Sequence, residues 1–389
     1  MILIAGARAV NPQGNEPQRH LESKGEASLI PLSDNPLCVS FLCVLCGSVV
    51  RLMPSLVTGG AGFIGSHLVR LLVDRGEAVR VLDLAPLSLD WIEVVRADIR
   101  DRQAVREAVR GCRHVYHLAA NPQLWTQRRG HFRQVNYQGT VNVLEEALAA
   151  GAERVLHTST ESILTRARQT APIAEDQEVS LGDVVGPYCR SKFFAERHAL
   201  KLARGGAPVV IVNPTLPVGP GDLSRSPPTQ MMLDFCRGRR HEYLDAELNL
   251  IDVRDVAAGM VRALEVGRPG RRYLLGHENL SIREVFGILA RLTGLPEPRW
   301  RVPYALGLAA AYVSEFVADV VTHRGPAATV TGVKLTRRRM HFDPSRSLAE
   351  LGLTPRPVRE SLADAVAWFR QVGWLPPPPL SPWRERGRG

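Results

Sequence analysis

Cysteine is scarce in this 389-residue chain, with six in all. Only Cys43 and Cys46 stand in C-x-x-C spacing, in an apolar stretch with no second half-site and no adjacent strand–helix–strand pattern. A zinc or redox centre is therefore not expected, no metal site is evident, and a reducing, cytoplasmic setting fits best. Aromatic residues make up only 6% of the chain, and neither a Cys/His finger spacing nor an aromatic RNA-binding signature is present. The formal net charge of +10 is scattered rather than gathered in one tract. That balance favours an anionic small molecule bearing a diphosphate over nucleic acid. There is no internal repeat.

Long hydrophobic runs are missing too. The apolar stretch Leu37 to Val50 falls short of the roughly 20 residues a transmembrane helix needs, and no basic region beside it marks a signal peptide. A second stretch, "ALGLAAAYVSEFVADVV", contains Glu315 and Asp319. It reads as an amphipathic packed helix, so no stable membrane span is expected. Residues 1–52 are neutral overall, and Met53 stands directly before a clean strand. They read as an unstructured extension or a start assigned too far upstream. Residues 376–389, rich in proline and arginine, read as a disordered tail.

What the chain does have is alternation. Strands are expected at "SLVTG", "AVRVLDL", "HVYHLAA", "RVLHTST" and "PVVIVNP". Helical spacing separates them at Ile64–Asp74, Asp101–Arg110, Phe132–Ala150 and Tyr188–Ala203. This order argues for a Rossmann-type doubly wound parallel sheet in an α/β fold, with ligands at the carboxyl ends of the strands. After Pro214 comes "PTLPVGPGDLSRSPPTQ", a Pro/Gly-rich loop of the length functional lids have. Helices follow near Asp255–Leu264, Ile282–Leu292, Ala305–Val320 and Val358–Phe369. The reading is a nucleotide-binding domain over 53–215 and a smaller substrate lobe over 216–375, with segments near 168–187.

"VTGGAGFIGSHLV" sets Gly59, Gly62 and Gly65 three apart between the first strand and the first helix. Glycines there let the backbone approach a pyrophosphate, which the helix N-terminus then holds. Asp83 ends the second strand, where a carboxylate accepts from ribose hydroxyls and repels a 2′-phosphate, so NAD is preferred over NADP. Asp98, with Ile99 beside it in "RADIR", is placed to meet the adenine.

These motifs, with "HLAA", "VNYQGTVNVLEEAL", "HTST", "YCRSK", "NPTLPVGPGD" and "LIDVRDVAAGMVRAL", occur in the order of one family. From about Met53 to Phe369 the chain resembles the extended short-chain dehydrogenase/reductases, in the NAD-dependent sugar epimerase/dehydratase group. Its C-terminal half is similar to the branch of hopanoid-associated sugar epimerases and dihydroflavonol-reductase-like proteins. The resemblance makes Tyr188 the catalytic acid/base, Lys192 its activator and a ribose ligand, and Thr160 the hydroxyl that holds the substrate oxygen. A tyrosine with an ordinary pKa of about 10 needs a nearby cation to favour tyrosinate, and Lys192 lies one helical turn on. By the same resemblance Phe63 and Ile64 offer amides to the pyrophosphate, Ala119 lines the cofactor cleft, Pro214 lies beside the nicotinamide, and Asn136 is structural or cofactor-adjacent. A homodimer through the helices at Phe132–Ala150 and Tyr188–Ala203 is implied.

Three departures matter. Many dihydroflavonol-type reductases prefer NADP and lack an acid where Asp83 stands, so Asp83 favours NAD and an epimerase over a biosynthetic reductase. Dehydratases of the group carry two carboxylates after the threonine, whereas Thr160 is followed by Glu161 and Ser162. Dehydration thus lacks its expected base. Asn213 replaces the arginine often found before the proline. The leading expectation is a nucleotide-sugar epimerase, with Arg237, Arg239, Arg240 and Arg271 offered as diphosphate ligands. The alternative is a reductase or dehydrogenase of a hydroxy or keto group on a lipid-like, steroid or flavonoid-type substrate. A non-catalytic NAD-binding regulator is a third class, opposed by the intact Thr160, Tyr188 and Lys192.

Overall fold

The computed structural model describes residues 53–87 and 92–377. The readings of residues 1–52 and of the tail beyond residue 377 lie outside the described residues.

In chain order the strands are β1 (Ser55–Thr58), β2 (Val79–Asp83), β3 (Glu93–Arg96), β4 (His114–His117), β5 (Arg154–Thr158) and β6 (Val209–Pro214). They continue with β7 (Leu216–Val218), β8 (Glu242–Tyr243), β9 (Glu247–Asp252), β10 (Arg272–Leu275), β11 (Glu278–Ser281) and β12 (Trp300–Arg301). Seven of them form one sheet in the order β10-β6-β5-β4-β1-β2-β3, and every pairing in it is parallel. The expected doubly wound fold is present. Chain order reverses between β1 and β4, which opens a crevice at their carboxyl ends.

Burial on both faces explains why these strands read as unbroken apolar runs. One face is covered by α1 (Phe63–Asp74) and α7 (Val253–Val266), which pack Leu68, Leu72, Val256 and Met260 onto Val57 and Val81. The other face carries α2 (Arg102–Val109), α4 (Thr140–Ala149) and α5 (Gly186–Arg204), whose Val105, Val143 and Ala199 meet Leu56 and Val155. The short α3 (Gly130–Phe132) runs through a π-helical turn, Arg133–Gly139, into α4. Asp101 caps α2 by accepting from the amides of Gln103 and Ala104 at 3.0 and 3.1 Å.

A second lobe forms around a three-stranded sheet, β11-β9-β7. Against it pack α6 (Pro227–Cys236), α8 (Ile282–Thr293) and α12 (Val358–Gln371), with Phe235 and Phe286 stacked at 4.7 Å. Ser281 and Glu284 form a reciprocal cap that starts α8. Beyond lie α9 (Tyr304–Val317), which extends through a π-helical turn to Thr322, then α10 (Val330–Leu335) and α11 (Ser345–Leu351).

Four expectations need correction. The division at residue 215 does not separate two folding units: α7 and β10, both beyond it, return to the seven-stranded sheet. The edge strand β3 was not foreseen, because Glu93–Arg96 is half-exposed and lacks a buried run. The Pro/Gly-rich loop is partly regular, holding β7, which pairs with β9, and the first turn of α6. Finally, α9 does not pack its apolar face inward; Leu306, Val313 and Phe316 are exposed, while Glu315 and Asp319 turn toward the protein.

Candidate active site

Gly59 leaves β1 with φ +76, in the left-handed region that favours glycine. A Cβ there would lie 2.7 Å from the amide nitrogen of Ala119, so the loop runs against the chain leaving β4. At Gly65 a Cβ would come within 2.9 Å of the Gly59 carbonyl carbon and of Gly60 Cα. Gly62 begins α1 without a side-chain cap. The first-turn amides of Phe63, Ile64 and Gly65 therefore meet whatever anion sits at the positive end of the helix.

Asp83 stands at the loop's edge, its carboxylate accepting from the amides of Ala61 and Ala85 at 2.9 Å each. Asp98 is engaged by Arg100, through Nε at 2.9 Å and Nη2 at 2.6 Å. The hydrogen bond from Arg100 holds the Asp98 carboxyl below its usual range, so an adenine at this spot competes with that guanidinium. Ile99 is a core residue: its side chain packs against Gly139, and its carbonyl accepts from Asn142 at 3.0 Å.

At the carboxyl end of β5, Thr160 donates to Glu161 Oε2 at 2.8 Å, lies 3.1 Å from Ser162 Oγ, and reaches the Tyr188 phenol. Lys192 is buried and donates to the Thr158 carbonyl at 2.6 Å. Burial lowers Lys192 to about 8, while Glu196 acts in the opposite sense. Burial pushes the Tyr188 phenol upward, reinforced by Cys189 and Glu161 and opposed by the Thr160 hydrogen bond. The ammonium of Lys192 donates to the strand carbonyl, one helical turn on from Tyr188.

Buried polar chains hold this set in place. Asn213 donates to the Thr160 carbonyl at 3.1 Å and to Glu196 Oε2 at 2.7 Å, and Arg272 grips the other Glu196 oxygen at 2.7 Å. It is thus a brace for Thr160. Asn136, in the π-helical turn, accepts from the Asn121 amide at 2.7 Å and donates to Ser191 Oγ at 3.1 Å; Ser191 in turn donates to the Tyr188 carbonyl at 2.6 Å. It is a structural tie between the chain after β4 and the catalytic helix. Pro214 is buried at the end of β6.

Sequence reasoning passed over His117. Thr140 Oγ1 donates to the Asn136 carbonyl at 2.7 Å, which leaves its oxygen to accept from His117 Nε2 at 2.9 Å; His117 Nδ1 then accepts from Thr58 Oγ1 at 2.8 Å. Burial, with the Lys192 charge behind it, lowers His117 to about 3, so the ring is neutral. The signal was a histidine inside the otherwise apolar "HVYHL".

The family model for the NAD dependent epimerase/dehydratase family matches residues 55–276. The chain belongs to this family. It is 37% identical over 331 residues to the putative dihydroflavonol 4-reductase of Synechocystis sp., covering 82% of this chain and 95% of that one. It is 36% identical over 331 residues to sterol demethylase protein B of Methylococcus capsulatus, covering 83% and 100%. A solved structure of MoeE5 in complex with UDP-glucose and NAD is similar with a TM-score of 0.65 and 25% identity, covering 82% of this chain and 99% of that one.

NAD is the family's cofactor, and the residues fit it. The glycine loop tolerates no side chain at Gly59 or Gly65, and the Asp83 carboxylate stands at its edge, where it would accept from ribose hydroxyls. The hydroxyls of Thr158 and Ser159 are buried without partners, and a polar ligand at the end of β5 would satisfy them. When bound, the nicotinamide supplies a hydride acceptor or donor. On the roles the family resemblance implies, Thr160 would hold a substrate oxygen, Tyr188 would exchange a proton with it, and Lys192 would support that exchange.

Proposed function

We propose that the protein is an NAD-dependent oxidoreductase interconverting a secondary alcohol and a ketone on a lipid-like, steroid or flavonoid-type substrate. The observation that carries this reading is the likeness to two relatives named for dihydroflavonol and sterol chemistry, 37% and 36% identical and matched over 95% and 100% of their lengths. Two of the four arginines offered for a sugar diphosphate are engaged elsewhere. Arg271 pairs with Glu350 at 2.7 Å at the amino end of β10, Arg237 donates to the Trp374 carbonyl at 3.1 Å, and Arg239 and Arg240 lie near Asp234. The names of the two reported relatives agree with an apolar substrate.

Nucleotide-sugar epimerisation is the second reading, favoured by the likeness to MoeE5 with its UDP-glucose. The experiment begins with the dinucleotide released on denaturation, identified by mass spectrometry, followed by panels of apolar ketones and of nucleotide sugars. The oxidoreductase consumes one NADH per ketone reduced and exchanges its cofactor each cycle. Stoichiometric retained NAD, with sugar interconversion and no net NADH change, would replace that reading with the epimerase. We place the activity on the cytoplasmic side, in a homodimer formed by α4 and α5, where Phe194 is exposed. Phe194→Glu shifts the sedimentation coefficient to that of a monomer on this view.

A further inference from the structure

The outward face of α9 and its extension is a continuous apolar stripe. Leu306, Val313, Phe316 and Val321 are 63%, 63%, 63% and 66% exposed, and Val317 and Val320 lie between them. Intervals of three and four residues put all six on one side of a helix. The two acids of the helix point the other way. Glu315 accepts from the Val330 amide at 2.7 Å, Asp319 accepts from Trp125 Nε1 at 3.1 Å, and Arg129 lies 3.4 Å from Asp319. Apolar side chains face water while carboxylates face protein, the reverse of an ordinary surface helix, and a stripe of this kind marks an interaction site.

Its surroundings say what covers it. Between residues 299 and 342 the chain has seven Lys/Arg and two acids, Glu315 and Asp319, both committed inward. Arg299 and Arg301 precede the helix and Arg324 follows it, Arg301 being bridged to Asp245 at 3.0 Å. Lys334 and Arg337 lie 5.7 and 4.1 Å from the rings of Tyr312 and Tyr304. Trp300, 73% exposed, stands at the helix entry. Apolar stripe, flanking cations and amphipathic rings together match the headgroup layer of an anionic bilayer. A second copy of the same face would set cations against cations.

We infer that this face docks in the plane of an anionic lipid bilayer. By length and composition the helix could cross a membrane, but Ala311 and Ala318 are buried and both acids are hydrogen-bonded to the body, so the helix lies in the interface rather than spanning it. Docking sets the substrate cleft against the lipid. Trp125 and Arg129 belong to the chain leaving the carboxyl end of β4, and Thr331 of α10 abuts Gly186, two residues before Tyr188. The inference goes beyond the oxidoreductase reading and stands whether or not that reading holds.

The test is co-sedimentation of the full chain with phosphatidylcholine vesicles containing about one-third phosphatidylglycerol, compared with pure phosphatidylcholine. Binding should fall about tenfold on the neutral vesicles, in high salt, and separately in the doubly substituted Val313→Glu/Phe316→Glu protein. Both substituted side chains are exposed, and unchanged dinucleotide binding confirms that the fold survives. Failure to bind anionic vesicles, or full binding by the double variant, overturns the inference. So does a double variant that loses self-association while its lipid binding is unchanged, since the stripe would then cover a second copy.

Discussion

Replacing Lys192 with methionine tests the electrostatics of the site more sharply than any other single change. In the folded protein burial holds this ammonium at about 8, against 10.5 for an ordinary lysine. The unfolded chain therefore binds more protons than the native one between those two values, and stability rises with pH across that window. At 1.36 kcal/mol per unit, the gain between neutral pH and the upper limit is about 3 kcal/mol, all of it assigned to one side chain. Lys192→Met has no such charge to bury, so its stability lacks this rise. At pH 7 the variant escapes the burial cost but leaves the Thr158 carbonyl without its donor, a loss of about 1–3 kcal/mol. The expected net effect at pH 7 is a cofactor-free variant more stable by about 1–2 kcal/mol, with turnover lowered about a hundredfold or more. Urea unfolding of both proteins at intervals from pH 7 to 10.5 gives the comparison. Parallel stability–pH curves would refute the reasoning, because the lysine would then titrate as it does in water.

Gly65→Ala should abolish NAD binding in calorimetry, since its Cβ would press on the backbone of Gly59 and Gly60; micromolar affinity retained would mean the loop has another path. Asn213→Ala unpairs the Thr160 carbonyl and one Glu196 oxygen, so a stability loss of about 2–4 kcal/mol is expected, with lower turnover; a loss under about 0.5 kcal/mol would deny the brace. Gly186→Ala places a Cβ 2.6 Å from Thr331 Cγ2 at φ +75. Thr331→Ala in the same chain should recover the steric part of the melting-temperature loss and leave about 1–2 kcal/mol of backbone strain.

The nucleotide half of the site was legible because its constraints are local. Gly59 and Gly65 answer to backbone contacts within a few residues, and Tyr188 and Lys192 to one helical turn. The remainder depended on partners far apart in the chain. Nothing near Asn213 announces that it spans Thr160 and Glu196, and nothing near Asp98 says that Arg100 will occupy it, although the two are neighbours. Spacing puts Lys192 on the right face but does not say that its ammonium will choose the Thr158 carbonyl. Helix α9 failed differently. Periodicity shows that apolar and acidic residues occupy opposite sides, yet it is symmetric under exchange of inside and outside, and this helix takes the inverted arrangement.

The order β10-β6 at one end of the main sheet has a consequence for synthesis. Val209, Val210, Ile211 and Val212 of β6 are fully buried in the finished protein, and β10 is the strand that covers their edge. On the ribosome, β6 emerges long before β10, while β7, β8 and β9 have still to be made. During that interval an apolar strand presents unpaired backbone groups, the condition under which nascent chains aggregate or recruit chaperones. The sheet that carries the cofactor crevice is therefore not closed at this edge until Leu275 has left the exit tunnel.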